Sequence, residues 1–244
     1  MRDWHGKIAF VTGGASGIGL GRALAEAGAR VMLADIEEAA LDAAVASLRG
    51  SKFADVSGGV CDVRDYQAVE RAAQARVEAF GKVHIVCNNA GVAGRSGTDG
   101  IDLQDGRWVI DINLMGVVHG VRAFVPHLTC HDEGGHIVNT APMAGFLPGT
   151  GFGPYTATKF AVVGLSEGLR EELAPQGIGV SVLCPGWVRT RITESRRNWP
   201  KEYGEPPAPA TGPTQERIAE LVRTGMKPSA VAALVLAAIR DDEL

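Results

Sequence analysis

The stretch Thr12-Gly13-Gly14-Ala15-Ser16-Gly17-Ile18-Gly19 constrains the fold of this chain more than any other. It lies between the apolar run Ile8-Ala9-Phe10-Val11 and a helix-like segment at 20–27. A strand, a glycine-rich turn and a helix in that order build a pocket for a nucleotide pyrophosphate. Glycine lets the main chain turn tightly and come close to phosphates. The helix N-terminus adds free N–H groups and the positive end of its dipole. With 32 glycines in the chain, chance matches are easy, so the context of the turn decides. Asp35 closes the next apolar run, Arg30-Val31-Met32-Leu33-Ala34, about 20 residues on, where an acid can bind a ribose 2′-OH.

Apolar runs at 7–12, 30–35, 58–62, 83–88, 135–141 and 178–184 alternate with segments of helical period. The runs are continuously apolar, as strands covered on both faces should be. Leu41, Ala44, Val45 and Leu48 repeat as one helix face, and Val69, Ala72, Ala73, Val77 and Phe80 nearly do. Gly28 and Gly81 read as helix caps. This βαβα rhythm implies an α/β fold with a parallel, doubly wound sheet, right-handed crossovers and helices on both faces. A length of 244 residues suits a single domain, 1–244. After Pro185 the composition changes. Residues 195–215 hold Pro200, Pro206, Pro207, Pro209 and Pro213 among charges, with Trp199 and Tyr203, and helices follow near 214–224 and 228–240. A long connection of this kind is expected to be functional or disordered. About 191–225 reads as a loop and helix insertion lining a substrate, and Trp199, Tyr203 and the prolines point to an apolar or aromatic one.

Composition narrows the partners. The net charge of −4 and the lack of a basic stripe argue against nucleic acid. No signal peptide or membrane span is read, and a reduced cytoplasm is expected. Cys61, Cys87, Cys130 and Cys184 have no CxxC spacing, and the six histidines have no metal-ligand spacing, so no metal is expected. No GxSxG elbow supports a hydrolase.

Several further motifs stand in register. Asp62-Val63, Asn88-Asn89-Ala90-Gly91, Asn113, Tyr155-x-x-x-Lys159 and Pro185-Gly186-Trp187-Val188-Arg189-Thr190 follow the glycine-rich turn in order. With that turn read as TGxxxGxG, the chain from about 7 to 191 resembles the short-chain dehydrogenase/reductase family. The resemblance implies a Rossmann-type sheet in the order 3-2-1-4-5-6. The family's usual seventh strand has no counterpart, because no apolar run follows Arg240. It implies cofactor contacts from Gly13, Ser16, Gly17, Ile18, Gly19, Asp35, Asp62, Val63, Asn89, Ala90, Gly91, Tyr155, Lys159, Pro185, Gly186, Val188 and Thr190. The implied catalytic set is Asn113, Tyr155 and Lys159, acting on a secondary alcohol or ketone. Asn113 would position a proton-relay water and Lys159 would hold the nicotinamide ribose. It also implies a homodimer or homotetramer, with a small-residue stripe at Ala157, Ala161, Gly164 and Gly168 on the Tyr155 helix.

The chemistry of the pair can be argued from the residues. Tyr155 and Lys159 are four apart, on one helix face. An ammonium beside a phenol favours the phenolate, lowering its pKa from about 10 and making Tyr155 a usable acid/base. Asp35 would repel a 2′-phosphate, and neither Ser16 nor Ile36 is basic, so NAD is expected over NADP.

Position 142 departs from the family, which has a serine thirteen residues before the tyrosine. Here it is Pro142, which has neither hydroxyl nor N–H to donate. Losing one such donor typically costs about 10² to 10³ in rate. Thr140 points to the same face but lies about 6.6 Å away. The departure leaves open an inactivated or weakened enzyme, or another route to polarising the substrate. It also leaves two rivals: an NAD-binding sensor or scaffold with little catalysis, and an NADP-dependent carbonyl reductase, which Asp35 disfavours.

Overall fold

In the computed structural model the described residues are 1, 3–51, 53, 55–94, 102–143, 146, 152–208 and 211–244. Six parallel strands form the sheet: β1 Ile8–Thr12, β2 Arg30–Asp35, β3 Val56–Val60, β4 Ile85–Asn88, β5 Gly135–Thr140 and β6 Ile178–Leu183. Their order is β3-β2-β1-β4-β5-β6, as the motifs implied. Central β1 sets the register, with Val11 level with Leu33 of β2 and Cys87 of β4. Neighbouring residues of a strand feed opposite faces. Val11, Leu33 and Val138 pack against α1 (Leu20–Glu26), α2 (Glu38–Gly50) and α8 (Pro228–Asp241). Phe10, Val86 and Ile137 pack against α3 (Tyr66–Phe80), α5 (Gly116–Thr129) and α6 (Gly153–Leu173), with Phe10 and Phe124 rings 4.4 Å apart. Both faces of β1, β2, β4 and β5 are thus covered, which is why those runs carry no alternation, while the edge strand β3 leaves Val60 57% exposed.

The strand boundaries shift most at β3 and β4, and by a single residue at one end of β1, β5 and β6. β3 begins at Val56 rather than 58 and stops at Val60, because its ladder with β2 ends where Asp35 pairs with Val60. Cys61 and Asp62 lie beyond it, at the carboxyl edge of the sheet. β4 begins at Ile85 rather than 83. Gly81 ends α3 at φ 80°, the left-handed geometry that glycine adopts freely. Among the described residues no strand follows β6. Its outer edge is capped at the Val180 carbonyl by the Arg170 guanidinium, 2.9 Å away.

α4 (Leu103–Ile110) runs into α5 through a wider π turn, Asp111–Met115. By length and composition 103–129 could cross a membrane. Its Trp108, Val109, Val117, Phe124 and Leu128 are buried inside this fold. The 191–212 connection holds short 3₁₀ turns at Ile192–Asn198 and Lys201–Tyr203 before α7 (Pro213–Thr224).

Candidate active site

The glycine-rich turn and the β4 motif are built against each other. Thr12 Oγ1 accepts the N–H groups of Asn89 at 3.0 Å and Ala90 at 3.1 Å. Asn89 Nδ2 returns bonds to the carbonyls of Thr12 and Gly13. Gly13 sits at φ +62°, and a Cβ there would stand 2.9 Å from Ala90 Cα, so only glycine fits. Gly17 is at φ +80° with open space where its Cβ would be, leaving bare main chain on that side.

Asp35 is buried at the tip of β2. Its Oδ2 accepts the Ala15 N–H at 2.9 Å and its Oδ1 the Glu37 N–H at 3.1 Å. A carboxylate has about four acceptor positions, so capacity for ribose hydroxyls remains. The carboxylate therefore also holds the glycine-rich turn in place.

A cavity of about 450 Å³ runs along the carboxyl ends of the strands, from Asp35 to Tyr155 and Lys159. Lys159 is buried and its Nζ donates to the Thr140 carbonyl at 3.0 Å. It stands 5.6 Å from the centre of the Tyr155 ring. Burial pushes the Lys159 ammonium down to about 8 and the Tyr155 phenol up to about 12. The nearby ammonium favours the phenolate, but removal from water favours the neutral phenol more. Pro142 is half-buried in the same wall, and Thr140 Oγ1 is buried with no hydrogen-bond partner.

Asn113 does not reach this cavity. It lies in the π turn, fully buried, where its Oδ1 accepts the Val92 N–H at 2.8 Å and its Nδ2 donates to the Val92 carbonyl at 2.9 Å. Its amide is therefore spent on aligning the chain after Asn89-Ala90-Gly91. Gly19, exposed at φ +76°, is not part of the cavity lining either. The other residues implied by the family motifs line it: Gly13, Ser16, Gly17, Ile18, Asp35, Asp62, Val63, Asn89, Ala90, Gly91, Pro185, Gly186, Val188 and Thr190.

The Ile192–Asn198 turns cross the cavity and are pinned on both sides. Arg197 pairs with Glu37 at 2.7 Å and Arg196 with buried Asp105 at 2.6 Å. Ser195 Oγ accepts the Ala93 N–H at 3.1 Å. Arg64 pairs with Asp62 at 2.6 Å and with Glu202 at 2.9 Å. These partners lie up to 160 positions apart in the chain, so no local pattern announces them. Trp199 and Tyr203 do not line the cavity, contrary to expectation. Trp199 meets Trp108 edge-to-face at 5.1 Å and Tyr203 edge-to-face at 5.7 Å, bracing the connection.

The comparisons with known proteins agree with this geometry. Residues 7–201 match the family model described as short chain dehydrogenase. The chain belongs to the short-chain dehydrogenase/reductase family. The chain is 34% identical to the C alpha-dehydrogenase of Sphingobium sp. strain SYK-6, over 100% of this chain and 81% of that protein. It is 42% identical to the 1-deoxy-11-beta-hydroxypentalenate dehydrogenase of Streptomyces avermitilis, over 77% of this chain and 70% of that protein. Among solved structures, a short-chain dehydrogenase/reductase from Burkholderia phymatum in complex with NAD superposes with a TM-score of 0.94 at 37% identity. That match covers 100% of this chain and 89% of the other. The protein is thus an oxidoreductase of a nicotinamide-dependent family, acting on small molecules.

A second polar cluster lies apart from the cavity, at the amino ends of the strands. His84, His131 and Glu133 come within 4.8 Å of one another, a grouping the sequence spacing did not show. His84 Nδ1 accepts the Ile8 N–H, and its Nε2 lies 2.9 Å from Glu133 Oε2. His131 Nε2 donates to the Val83 carbonyl and its Nδ1 accepts the Glu133 N–H. Each ring nitrogen is thus already in a hydrogen bond, and the cluster ties the 131–134 loop to the sheet.

Proposed function

We propose that this protein is an NAD-dependent dehydrogenase that interconverts a secondary alcohol and its ketone, with Tyr155 as the acid/base. One observation carries the reading: Tyr155, Lys159 and Asp35 open into one cavity floored by the glycine-rich turn. When bound, the nicotinamide supplies the two-electron acceptor or donor. Gly13 and Gly17 would let the pyrophosphate meet main chain, Asp35 would take the adenosine ribose, and Lys159 the nicotinamide ribose. The Tyr155 hydroxyl would give a proton to a ketone oxygen or accept one from an alcohol. Its high pKa makes it a ready proton donor at neutral pH, and oxidation should speed up as pH rises.

Several features support NAD over NADP. Asp35 and Glu37 place two carboxylates at the ribose end, and the cation bonded to Glu37, Arg197, is already paired. Two relatives are named dehydrogenases, and the matched structure holds NAD. Pro142 supports a weakened enzyme, since the substrate oxygen would lack the family's serine donor. The assembly we propose is a dimer or tetramer through α6, whose Ala157, Ala161, Gly164 and Gly168 are exposed. A reducing, cytoplasmic setting fits four free thiols. The test is turnover of a panel of secondary alcohols with NAD. Activity that survives Tyr155→Phe undiminished would refute the assignment of the acid/base.

A further inference from the structure

The cavity changes character along its length. Its charged wall residues gather at the Asp35 end and are closed into pairs. Arg197 and Asn198 both hold Glu37, Arg64 holds Asp62, and Arg191 holds Glu194 while adding to the field at Glu37. Beyond Tyr155 the described wall has no charged side chain except Lys159. It is made by Pro142, Met143, Phe152, Trp187, Ile218 and Val222. The Phe152 ring stands 6.2 Å from that of Tyr155.

This apolar end is built from separate segments that are locked together. Ile218 and Val222 are one turn apart on α7. The end of α7 is clamped to the Pro185–Thr190 segment, where the Met226 N–H bonds the Trp187 carbonyl at 2.8 Å and the Arg189 N–H bonds the Met226 carbonyl at 3.0 Å. On the opposite lip the Phe146 N–H bonds the Met143 carbonyl at 3.0 Å. The rim leaves large apolar side chains in water: Met143 is 41% exposed, Trp187 44%, Met226 43% and Phe146 49%. Clustered exposure of this kind marks a surface meant to be covered. Two neutral hydroxyls of the lining, those of Thr140 and Thr156, are buried without a partner.

We propose that the substrate is a bulky, uncharged secondary alcohol or ketone. Its hydrocarbon body fills the Phe152–Val222 end and rests on the Met143–Trp187 rim, and any further oxygen on it is neutral. This deepens the dehydrogenase reading and rests on it. An ionised carboxylate brought to this end would lose its hydration and, among the described residues, meet only the Lys159 ammonium, already bonded to the Thr140 carbonyl.

The test compares alcohols of one ring skeleton, neutral and carboxylate-bearing, and a neutral series of rising size, with NAD. Turnover is followed by formation of the reduced cofactor, and binding separately by quenching of tryptophan fluorescence. The expected result is a kcat/KM that rises with hydrocarbon size, mainly through KM. The carboxylate analogue should fall at least about 100-fold below its neutral partner, the scale set by burying an unpaired charge. Ile218→Lys should narrow that gap by bringing a cation into the wall. Equal turnover of the carboxylate and neutral forms would overturn the substrate class while leaving the dehydrogenase reading intact. Selective binding of the neutral forms without any turnover would do the reverse. Equal binding of both forms in the fluorescence titration would overturn the class on its own.

Discussion

Restoring a hydroxyl at position 142 probes the chemistry most directly. Pro142 follows the last ladder bond of β5, from the Ala141 N–H to the Leu183 carbonyl at 2.9 Å. It precedes another anchor, the Met143 N–H on the Pro185 carbonyl at 3.0 Å. The main chain is therefore held on both sides, and Pro142→Ser would place its hydroxyl from an already ordered backbone in the wall that holds Tyr155. Loss of the proline ring costs about 0.4–1 kcal/mol of stability, because the unfolded chain gains freedom. A positioned donor to the reacting oxygen contributes about 2.7–4 kcal/mol to the transition state. The variant should therefore melt slightly lower and turn over faster, with kcat/KM up by about 10² or more and the gain mainly in kcat. NAD affinity should hold, since the glycine-rich turn, Asp35 and Lys159 are untouched. The assay is steady-state kinetics on a secondary alcohol, with a cofactor titration and a melt as controls. A serine form that is no faster than the proline form, with unchanged NAD binding, would refute the reasoning. Thr140, buried beside Lys159 with its hydroxyl unpaired, would then be the next residue to replace.

Other perturbations test other parts of the structure. NAD should bind at least about tenfold tighter than NADP, roughly 1.4 kcal/mol, and equal affinities by titration would sink the ribose argument. Asn113→Ala should cost about 1–3 kcal/mol in chemical denaturation, because it orphans the buried N–H and carbonyl of Val92. A fully stable variant would mean that the Val92 segment rearranges freely. His136 is held neutral by burial, its pKa lowered from 6.5 to about 4, while the unfolded chain takes up a proton below 6.5. Stability should thus fall as pH drops from 6.5 towards 4, by up to about 3 kcal/mol, and His136→Gln should flatten that slope in melts across the window. Light scattering at micromolar concentration should give a dimer or tetramer, and a sharp monomer mass would exclude pairing through the exposed small-residue face of α6.

What the sequence determined by itself was local order and the succession of motifs. Continuous apolar runs at β1, β2, β4 and β5 betrayed strands covered on both faces, because each residue there must meet a helix layer whichever way it points. The conformational demands at Gly13 and Gly17, the acid at Asp35 and the Tyr155–Lys159 spacing are properties of short segments, so a linear reading reaches them. The ends of β3 were less legible, since its apolar run continues through Cys61 after the ladder with β2 has closed. Only the tertiary structure decided what stands opposite what. It spent the Asn113 amide on Val92, brought Arg197 across the cavity to Glu37, and turned Trp199 and Tyr203 away from the cavity onto Trp108. It also reversed the balance at Tyr155, where burial outweighs the lysine. Desolvation and long-range pairing depend on every segment packed around a group, and neighbours along the chain do not encode that.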